Sequence, residues 1–272
     1  MIPVLFELGP LKVYSYGLML GLGFLLGGYI VSLELKRNRI NPDLATGITI
    51  LAVVFGIAGA KLLFLLENFG EFLHRPLAMA FSGGGLTWYG GFVLAIIAVF
   101  IYIRSKKVPF LKVWDAIGLG LMLGYGVGRL GCHLSGDGDY GFPTDLPWGT
   151  NYEKGLYPPS RAFEGFPEIT SQYPGGIVPD NTPLHPTPVY ELILGLIGFA
   201  ILWKLRKKNF ADGTLFMIYL VMASAFRFAI EFLRLNPRVF LGLSEAQLFS
   251  VAMFFLGLAG MAFFLRRSEV KG

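Results

Sequence analysis

Residues 44–66 read LATGITILAVVFGIAGAKLLFLL, an apolar run whose only charged side chain is Lys61. A helix needs about 20 mostly apolar residues to cross the hydrocarbon core of a bilayer. This run is long enough, and it lies between Pro42 and Glu67, residues that interrupt an apolar helix. It therefore predicts a membrane-spanning helix.

Six further runs of this kind follow along the chain. Only 15% of the residues are charged, 54% are hydrophobic and the mean hydropathy is +0.60, whereas about a quarter of the residues of a soluble domain are charged. We therefore predict an all-α integral membrane protein, a single transmembrane domain over residues 1–272. Its seven predicted spans are about 14–33, 44–66, 85–103, 113–132, 187–203, 213–233 and 244–265. The opening residues lack the basic start and cleavage pattern of a signal peptide, so we expect the first span to be retained.

Basic residues alternate between the connections and predict the orientation. Four clusters hold 14 of the 23 Lys and Arg residues: KRNR (36–39), RSKK with Lys112 (104–112), KLRKK (204–208) and RRSEVK (266–271). Cytoplasmic loops carry such an excess of basic residues. The seven spans then place the amino terminus outside the cytoplasm and the carboxyl terminus inside it.

The connection between spans four and five differs from the others. Residues 133–186 contain Trp148, several tyrosines and more acids than bases. A disordered linker would be poorer in aromatic and apolar residues. We therefore predict a folded head on the outer, periplasmic side of the membrane.

Several classes of site are disfavoured by composition. A single cysteine excludes an internal disulfide and a cysteine-based zinc site, and the three histidines match no metal-binding spacing. We predict no metal and no cofactor. The net charge of +5 follows the topology, so nucleic acid is not an expected partner.

Charged residues nevertheless occur within or at the ends of the predicted spans: Lys61, Arg129, Arg227 and Glu231. Each charge at the centre of a bilayer costs on the order of 2.5–3.5 kcal/mol on insertion scales, so such residues are candidates for function. Arg227, Glu231 and Arg234 have the spacing i, i+4, i+7, which predicts one helical face. Tyr190 and Glu191 begin span five on the same outer side.

These polar groups predict a phosphate site in the outer leaflet. At least three cationic side chains meet too few acids, and uncompensated buried cations are costly. A phospholipid phosphate is the anion available there, and the planar guanidinium of arginine binds phosphate through two parallel hydrogen bonds. Glycines beside the polar groups indicate close approach of a ligand or a tight break in the helix. They are Gly90, Gly91, Gly128, Gly131, Gly136 and Gly138.

Seven segments resemble, in the same order, the motifs of the bacterial prolipoprotein diacylglyceryl transferase family. The segments are YGLMLGLGF (16–24), GAKLLFLL (59–66), GGGLTWYGG (83–91), GRLGCHLSGDGDYG (128–141), LHPTPVYE (184–191), RFAIEFLR (227–234) and LSEAQLFS (243–250). The resemblance implies a multi-pass enzyme of the bacterial inner membrane, with its active site toward the periplasmic leaflet. Such enzymes move the diacylglyceryl group of phosphatidylglycerol to the lipobox cysteine thiol of a prolipoprotein and release glycerol phosphate.

The resemblance also implies residue roles. Arg129 and Arg227 would hold the lipid phosphate, Tyr16 would orient the headgroup, and Glu231 would fix the arginines with Arg234 beside it. The other implied substrate-binding residues are Lys61, Gly90, Gly91, Cys132, Ser135, Gly136, His185, Tyr190, Glu191 and Gln247.

The sequence departs from the family motifs at four positions. Tyr89 replaces the family histidine before Gly-Gly, Cys132 and Ser135 replace two asparagines, and Asp137 replaces a glutamate in a segment with one extra residue. The reaction needs a thiolate, and a tyrosine with a pKa of about 10 is a poor base. The candidate bases are therefore Tyr89, His133, Asp137 and Asp139. Cys132 is interpreted as a small packed residue, with a covalent role as the alternative.

These departures leave alternative functions open at the level of sequence. The chain could be a diverged relative that transfers lipid to another acceptor. It could also be a non-catalytic protein that binds or moves phospholipid. A channel or secondary transporter is disfavoured because the charges lie near one leaflet and no broken helix pair stands out.

Overall fold

A computed structural model of the protein describes residues 1–9, 11–82 and 84–269; Gly83 and Lys271, which belong to two of the segments above, lie outside it. The helices are α1 (Ser15–Arg37), α2 (Leu44–Glu67), α3 (Phe69–His74), α4 (Pro76–Ala80), α5 (Trp88–Ser105), α6 (Phe110–Ser135), α7 (Pro159–Ala162), α8 (Pro167–Thr170), α9 (Thr187–Leu205), α10 (Thr214–Ile230) and α11 (Glu245–Glu269). The strands form three two-stranded antiparallel pairs: β1 (Val4–Leu8) with β2 (Leu11–Tyr14), β3 (Thr150–Asn151) with β4 (Pro183–Leu184), and β5 (Arg238–Phe240) with β6 (Leu243–Ser244).

Seven helices in the described residues are long and apolar enough to cross a membrane, which confirms the predicted number of spans. They are α1, α2, α5, α6, α9, α10 with the turn that follows it, and α11. The observed helices extend past several predicted ends. In α1, Lys36 and Arg37 form the last turn, where cations interact favourably with the helix dipole.

The described residues form two compact units, whose boundaries fall within α1 and α6. One unit contains Met1–Gly27 and the described residues from Ile117 onward, and the other contains Gly28–Ala116. In the first unit, glycines bring the backbones of α1 and α6 together. A Cβ atom at Gly124 would lie 2.9 Å from the Gly23 carbonyl oxygen, and one at Gly27 would lie 2.9 Å from that of Gly120. Small residues permit this close packing in membranes.

Helix α9 packs on α6 in the same way. A Cβ atom at Gly195 would lie 3.1 Å from the Gly126 Cα atom. Three residues beyond Gly126, α6 carries Arg129, and α9 carries Glu191 one turn before Gly195. The glycine contact therefore brings the two charged side chains within reach of each other.

We expect Gly124→Ala to destabilise the first unit by about 1–3 kcal/mol, because an added methyl group overpacks a close contact. Thermal unfolding of the purified protein in detergent measures the loss. Gly21→Ala in α1 is the matched control, since a Cβ atom there meets no atom within 4 Å. Equal melting temperatures for the two variants would contradict the packing role of Gly124.

The second unit contains α2 packed against α5. A Cβ atom at Gly91 would lie 3.2 Å from the Ala60 Cβ atom and 3.3 Å from the Gly56 carbonyl carbon. Gly90 lies in the same way against Gly59. These contacts give the two glycines of α5 a role in helix packing, so the ligand approach predicted for them is not required to explain them.

The segment between α6 and α9 has its own hydrophobic core. The buried residues of this core are Tyr140, Tyr152, Phe163, Val178 and Leu184. Strands β3 and β4 pair Thr150 with Leu184 within it. Three of the aromatic residues of 133–186, Tyr140, Tyr152 and Phe163, therefore lie inside a folded structure, whereas Trp148 is exposed. The division of the chain into a membrane domain and a periplasmic head remains a prediction.

Candidate active site

The carboxyl-terminal end of α6 carries Arg129 and folds the chain back over it. Gly136 has a left-handed φ of 59°, and its amide donates a hydrogen bond to the Cys132 carbonyl oxygen at 2.9 Å, which ends the helix. Glycine adopts this conformation without steric cost. A second left-handed glycine, Gly138 (φ 93°), returns the chain so that the Asp139 carboxylate pairs with the Arg129 guanidinium.

Glu191 lies at the centre of the cluster. Its carboxylate is 2% exposed and pairs with three guanidinium groups: Arg129 Nε at 3.3 Å, Arg227 Nη1 at 3.0 Å and Arg234 Nη1 at 3.2 Å. The Tyr125 hydroxyl also donates a hydrogen bond to it. Side chains from α6, α9 and α10 therefore meet on one buried carboxylate.

Glu231 holds the second side of Arg227. Its fully buried carboxylate lies 2.9 Å from Arg227 Nη2. It also accepts hydrogen bonds from the Ser244 hydroxyl at 2.7 Å and the Asn236 side-chain amide at 2.6 Å. Two neutral donors from the segment after α10 thus hold the Glu231 carboxylate in place, and Glu231 in turn holds Arg227.

The prediction of one helical face for Arg227, Glu231 and Arg234 is wrong in part. Helix α10 ends at Ile230, a 3₁₀ turn covers Glu231–Leu233, and Arg234 is extended with φ −92° and ψ 156°. Arg227 and Glu231 keep the i, i+4 contact. Arg234 reaches the cluster by a different route, through the Asp139 carboxylate and carbonyl oxygen.

The predicted excess of cations is also wrong. Three arginines meet three carboxylates: Arg129, Arg227 and Arg234 pair with Asp139, Glu191 and Glu231. The sequence analysis missed the balance because Asp139 lies in the loop after α6, outside the predicted span. An anionic ligand must therefore compete with an existing carboxylate for these guanidinium groups.

Two of the arginines keep part of their surface open. Arg129 is 19% exposed and Arg227 is 23% exposed, whereas Arg234 is buried. The cluster can therefore present two planar guanidinium groups to a ligand while Glu191 holds them together.

A polar rim surrounds Arg129. Tyr16, at the start of α1, lies against Gly131, where a Cβ atom would come within 3.2 Å of the Tyr16 Cα atom. The Cys132 sulfur lies 3.9 Å from Arg129 Nη1. Burial raises the pKa of Asp137, and the charge of Asp139 raises it further.

Asp139 differs from Asp137. Burial acts to raise its pKa, but the charges of Arg234 and Arg129 outweigh burial and lower the pKa to about 2. Asp139 is therefore a weak proton acceptor, and Asp137 is the better base of the two.

Cys132, Asp137 and Asp139 are the one group in the described part of the chain with ligand atoms close enough for a metal ion, all within 4.8 Å of one another. The guanidinium of Arg129 pairs with Asp139 and lies beside the sulfur. Its positive charge disfavours a cation at this position.

His133, which is partly exposed, and Ser135, which is buried, both make hydrogen bonds within the protein. His133 Nδ1 lies 3.0 Å from the Tyr152 hydroxyl, which belongs to the core between α6 and α9. Ser135 is fully buried, and its hydroxyl donates to the Cys132 carbonyl oxygen at 3.1 Å. This hydrogen bond gives Ser135 a role within α6, and its substrate contact remains a prediction.

His185 and Tyr190 lie at the start of α9. His185 Nδ1 is 3.3 Å from the Tyr190 hydroxyl, which accepts a hydrogen bond from Trp148 Nε1 at 2.8 Å. The backbone of His185 pairs with Gly141 and Phe142. These residues tie the segment between α6 and α9 to the start of α9.

Gln247 lies buried beside the cluster and positions one of its members. The side chain is fully buried, and its carbonyl oxygen accepts hydrogen bonds from Arg238 Nη1 at 2.7 Å and from the Ser244 amide at 3.1 Å. Gln247 thereby positions Ser244 and, through it, Glu231. Direct binding of a substrate by Gln247 remains a prediction.

The remaining predicted residues belong to the second unit. Lys61 Nζ donates hydrogen bonds to the Ser82 hydroxyl and the Gly84 carbonyl oxygen, both at 2.8 Å. Tyr89, in the first turn of α5, is 46% exposed and its ring contacts the Trp88 ring edge-on. The Lys61 contacts hold the chain before α5, and the Tyr89 hydroxyl is accessible for chemistry.

Several residues of the cluster were not selected from the sequence: Tyr125, Thr187, Asn236, Arg238 and Ser244. Thr187, the first residue of α9, donates a hydrogen bond to the Asp139 carbonyl oxygen at 2.6 Å. Tyr125 is four residues before Arg129 on α6, and this i, i+4 spacing was a usable signal. The polar residues between α10 and α11 lie in a hairpin, for which the helical pattern gives no signal.

Residues 3–263 match the family model described as prolipoprotein diacylglyceryl transferase. Three similar proteins carry the name phosphatidylglycerol–prolipoprotein diacylglyceryl transferase. The Clostridium tetani protein is 32% identical over 94% of this chain and 95% of its own length. The Trichormus variabilis protein is 33% identical over 98% and 91%, and the Bordetella avium protein is 35% identical over 98% and 96%.

Proposed function

Because this chain belongs to the prolipoprotein diacylglyceryl transferase family, we infer that it is a multi-pass membrane transferase that moves the diacylglyceryl group of phosphatidylglycerol to the cysteine thiol of a prolipoprotein. The match covers nearly the full length of the chain and of its relatives. The observation that supports the assignment of the site is the meeting of three arginines on Glu191 at the carboxyl-terminal ends of α6 and α10 and the start of α9.

We propose that Arg129 and Arg227 bind the phosphate of the lipid. Both guanidinium groups are partly exposed, and arginine matches the geometry of phosphate oxygens. In the reaction, the acceptor sulfur forms a bond to the glyceryl carbon while the carbon–oxygen bond to phosphate breaks. The electron pair leaves with glycerol phosphate, and the arginines stabilise the charge that develops there.

We propose that Asp137 takes the proton of the acceptor thiol. Its raised pKa makes it a stronger base than an ordinary aspartate, and it lies beside Cys132 on the rim of the arginine cluster. The ion pairs of Asp139 with Arg129 and Arg234 make it a weak proton acceptor. His133 already shares a hydrogen bond with the Tyr152 hydroxyl.

The membrane side follows from the charges. Lys204, of the basic cluster 204–208, lies in the last turn of α9, whereas Glu191 lies near the start of the same helix, and basic clusters of this kind face the cytoplasm. We therefore propose that the site faces the periplasmic leaflet of the inner membrane.

The transfer assay tests this function. Purified protein receives phosphatidylglycerol labelled in its acyl chains and a peptide with a lipobox cysteine. We expect label on the peptide and one glycerol phosphate released per transfer. A peptide with serine in place of that cysteine is the control, and consumption of lipid without labelled peptide would contradict the proposed acceptor.

Asp137→Asn is expected to lower the transfer rate by about 100-fold or more, the usual contribution of a general base. In the wild type the rate should fall as the pH decreases through the pKa of Asp137, since only the ionised carboxylate accepts a proton. Asp137→Glu should restore part of the rate, and its rate should still decrease as the pH is lowered. A wild-type rate in Asp137→Asn would instead favour His133.

Tyr89→Phe is expected to retain the transfer rate within about threefold, because the proposed base is Asp137 and removal of the Tyr89 hydroxyl leaves that proton transfer intact. Transfer to the lipobox peptide at pH 7 measures it. Trp88→Phe, a change of the neighbouring exposed ring, is the matched control. A loss of more than 100-fold confined to Tyr89→Phe would assign the proton transfer to Tyr89.

A further inference from the structure

The three carboxylates of the arginine cluster differ in how they are held. Asp139 is 30% exposed, whereas Glu191 is 2% exposed and Glu231 is fully buried. Asp139 is therefore the carboxylate that a ligand entering from solvent or lipid reaches first.

The hydrogen-bond partners of the three carboxylates also indicate that Asp139 is the one that a ligand can replace. Glu191 and Glu231 accept hydrogen bonds from neutral donors as well as from arginine: from Tyr125 to Glu191, and from Asn236 and Ser244 to Glu231. These donors would be left unpaired if either glutamate moved, and unpaired buried donors are costly. The Asp139 carboxylate is held chiefly by the Arg129 and Arg234 guanidinium groups, which another anion can satisfy.

The backbone of Asp139 is anchored independently of its side chain. Its carbonyl oxygen accepts hydrogen bonds from the Thr187 hydroxyl at 2.6 Å and from Arg234 Nη1 at 3.1 Å. Release of the carboxylate therefore requires only a rotation of the side chain, and the loop after α6 keeps its place.

We propose that Asp139 is an internal counter-anion: the lipid phosphate that binds Arg129 and Arg227 displaces its carboxylate from Arg129 and so from Arg234, which keeps Glu191 and Glu231 as partners. This inference rests on the proposed function. A phosphodiester carries one negative charge, as the carboxylate does, so the exchange preserves the balance of three cations and three anions. A zwitterionic lipid brings an extra ammonium into the cationic cluster. Because a lipid must replace the Asp139 carboxylate in order to bind, the site favours anionic over zwitterionic phospholipids.

The decisive measurement is the KM for phosphatidylglycerol in Asp139→Asn. Loss of one competing charged hydrogen bond is worth about tenfold in affinity, so the KM should fall by about tenfold. Inhibition of transfer by inorganic phosphate should strengthen by a similar factor. Damage to the fold would raise the KM or lower kcat, and it does not produce tighter binding of both anions.

Two further variants complete the experiment. Asp145→Asn removes the same charge from an exposed position of the same loop and should leave both constants unchanged. Asp139→Ser replaces the carboxylate by a smaller polar side chain. If Asp139→Asn does not fold, Asp139→Ser should show the lower KM. An unchanged or higher KM in the folded variants overturns the proposal. Failure of both to fold also overturns it, because the carboxylate is then a structural requirement.

The proposal and the function on which it rests fail in different ways. If wild-type protein transfers label to the lipobox peptide but the KM is insensitive to Asp139, only the counter-anion is wrong. If wild-type protein transfers nothing, the transferase function fails. Thermal stabilisation by inorganic phosphate, compared between wild type and Asp139→Asn, then tests the counter-anion without turnover, and equal stabilisation rejects it.

Discussion

Arg227→Ala should lower diacylglyceryl transfer by about 1,000-fold, the upper range for removal of one group that stabilises developing charge. Arg227 pairs with both buried glutamates, with Nη1 3.0 Å from Glu191 and Nη2 2.9 Å from Glu231. Its loss removes a phosphate ligand and leaves two buried carboxylates with one cation fewer.

The assay for this variant needs a control for protein level and fold. Arg161→Ala is the matched control, because Arg161 is exposed and its guanidinium stacks on the Tyr157 ring. Both variants should reach the membrane in similar amounts, and only Arg227→Ala should lose transfer of label to the lipobox peptide. Near-normal transfer by Arg227→Ala would remove this residue from the phosphate site.

Arg129→Lys should also lose at least about 100-fold of the transfer rate, although the charge is conserved. Arg129 uses separate nitrogens for its two acids, Nη1 for Asp139 and Nε for Glu191, and its planar group lies over the Tyr125 ring. A lysine ammonium is a compact point charge without the rigid fork of donors, so it does not hold both acids and a phosphate together.

The conservative exchange has its own control. Arg161→Lys makes the same chemical change on the exposed surface and should leave transfer unchanged. We expect the loss in Arg129→Lys to fall on kcat as well as KM, since the guanidinium acts on the leaving phosphate. A change in KM alone would limit Arg129 to binding.

The apolar runs predict the seven spans well because length and hydropathy are local properties. Residues 44–66 correspond to α2, Leu44–Glu67, and residues 213–233 correspond to α10 with its final turn. The helix ends were less accurate where α1 continues into Lys36 and Arg37, which the apolar criterion excludes although charged residues continue a helix at the membrane surface.

The site was predictable in part. Arg129, Glu191, Arg227 and Glu231 were selected because charges in apolar spans need partners, and they form one cluster. The balance of charge was not predictable, since it depends on Asp139 folding back over α6 at two left-handed glycines. Sequence spacing does not predict which side chain such a reversal brings onto the helix.

Arg234 illustrates the same limit. Its spacing from Arg227 suggests a continuous helix, but the helix ends at Ile230. The polar pair Asn236 and Ser244 reaches Glu231 from the hairpin that follows. Contacts of this kind depend on the tertiary fold of a turn, which no helical periodicity reports.

The contribution of three separate helices to the contacts of Glu191 also has a consequence for biogenesis. When α6 enters the bilayer, the Asp139 partner of Arg129 follows ten residues later, but Glu191 lies further along the chain, in α9. A charge in a membrane span costs a few kcal/mol on insertion scales, and Glu191 can contribute to offsetting that cost only after α9 has been synthesised. We therefore expect the arginine cluster to be completed in stages, with Asp139 as the first partner of Arg129 and Glu191 as the second.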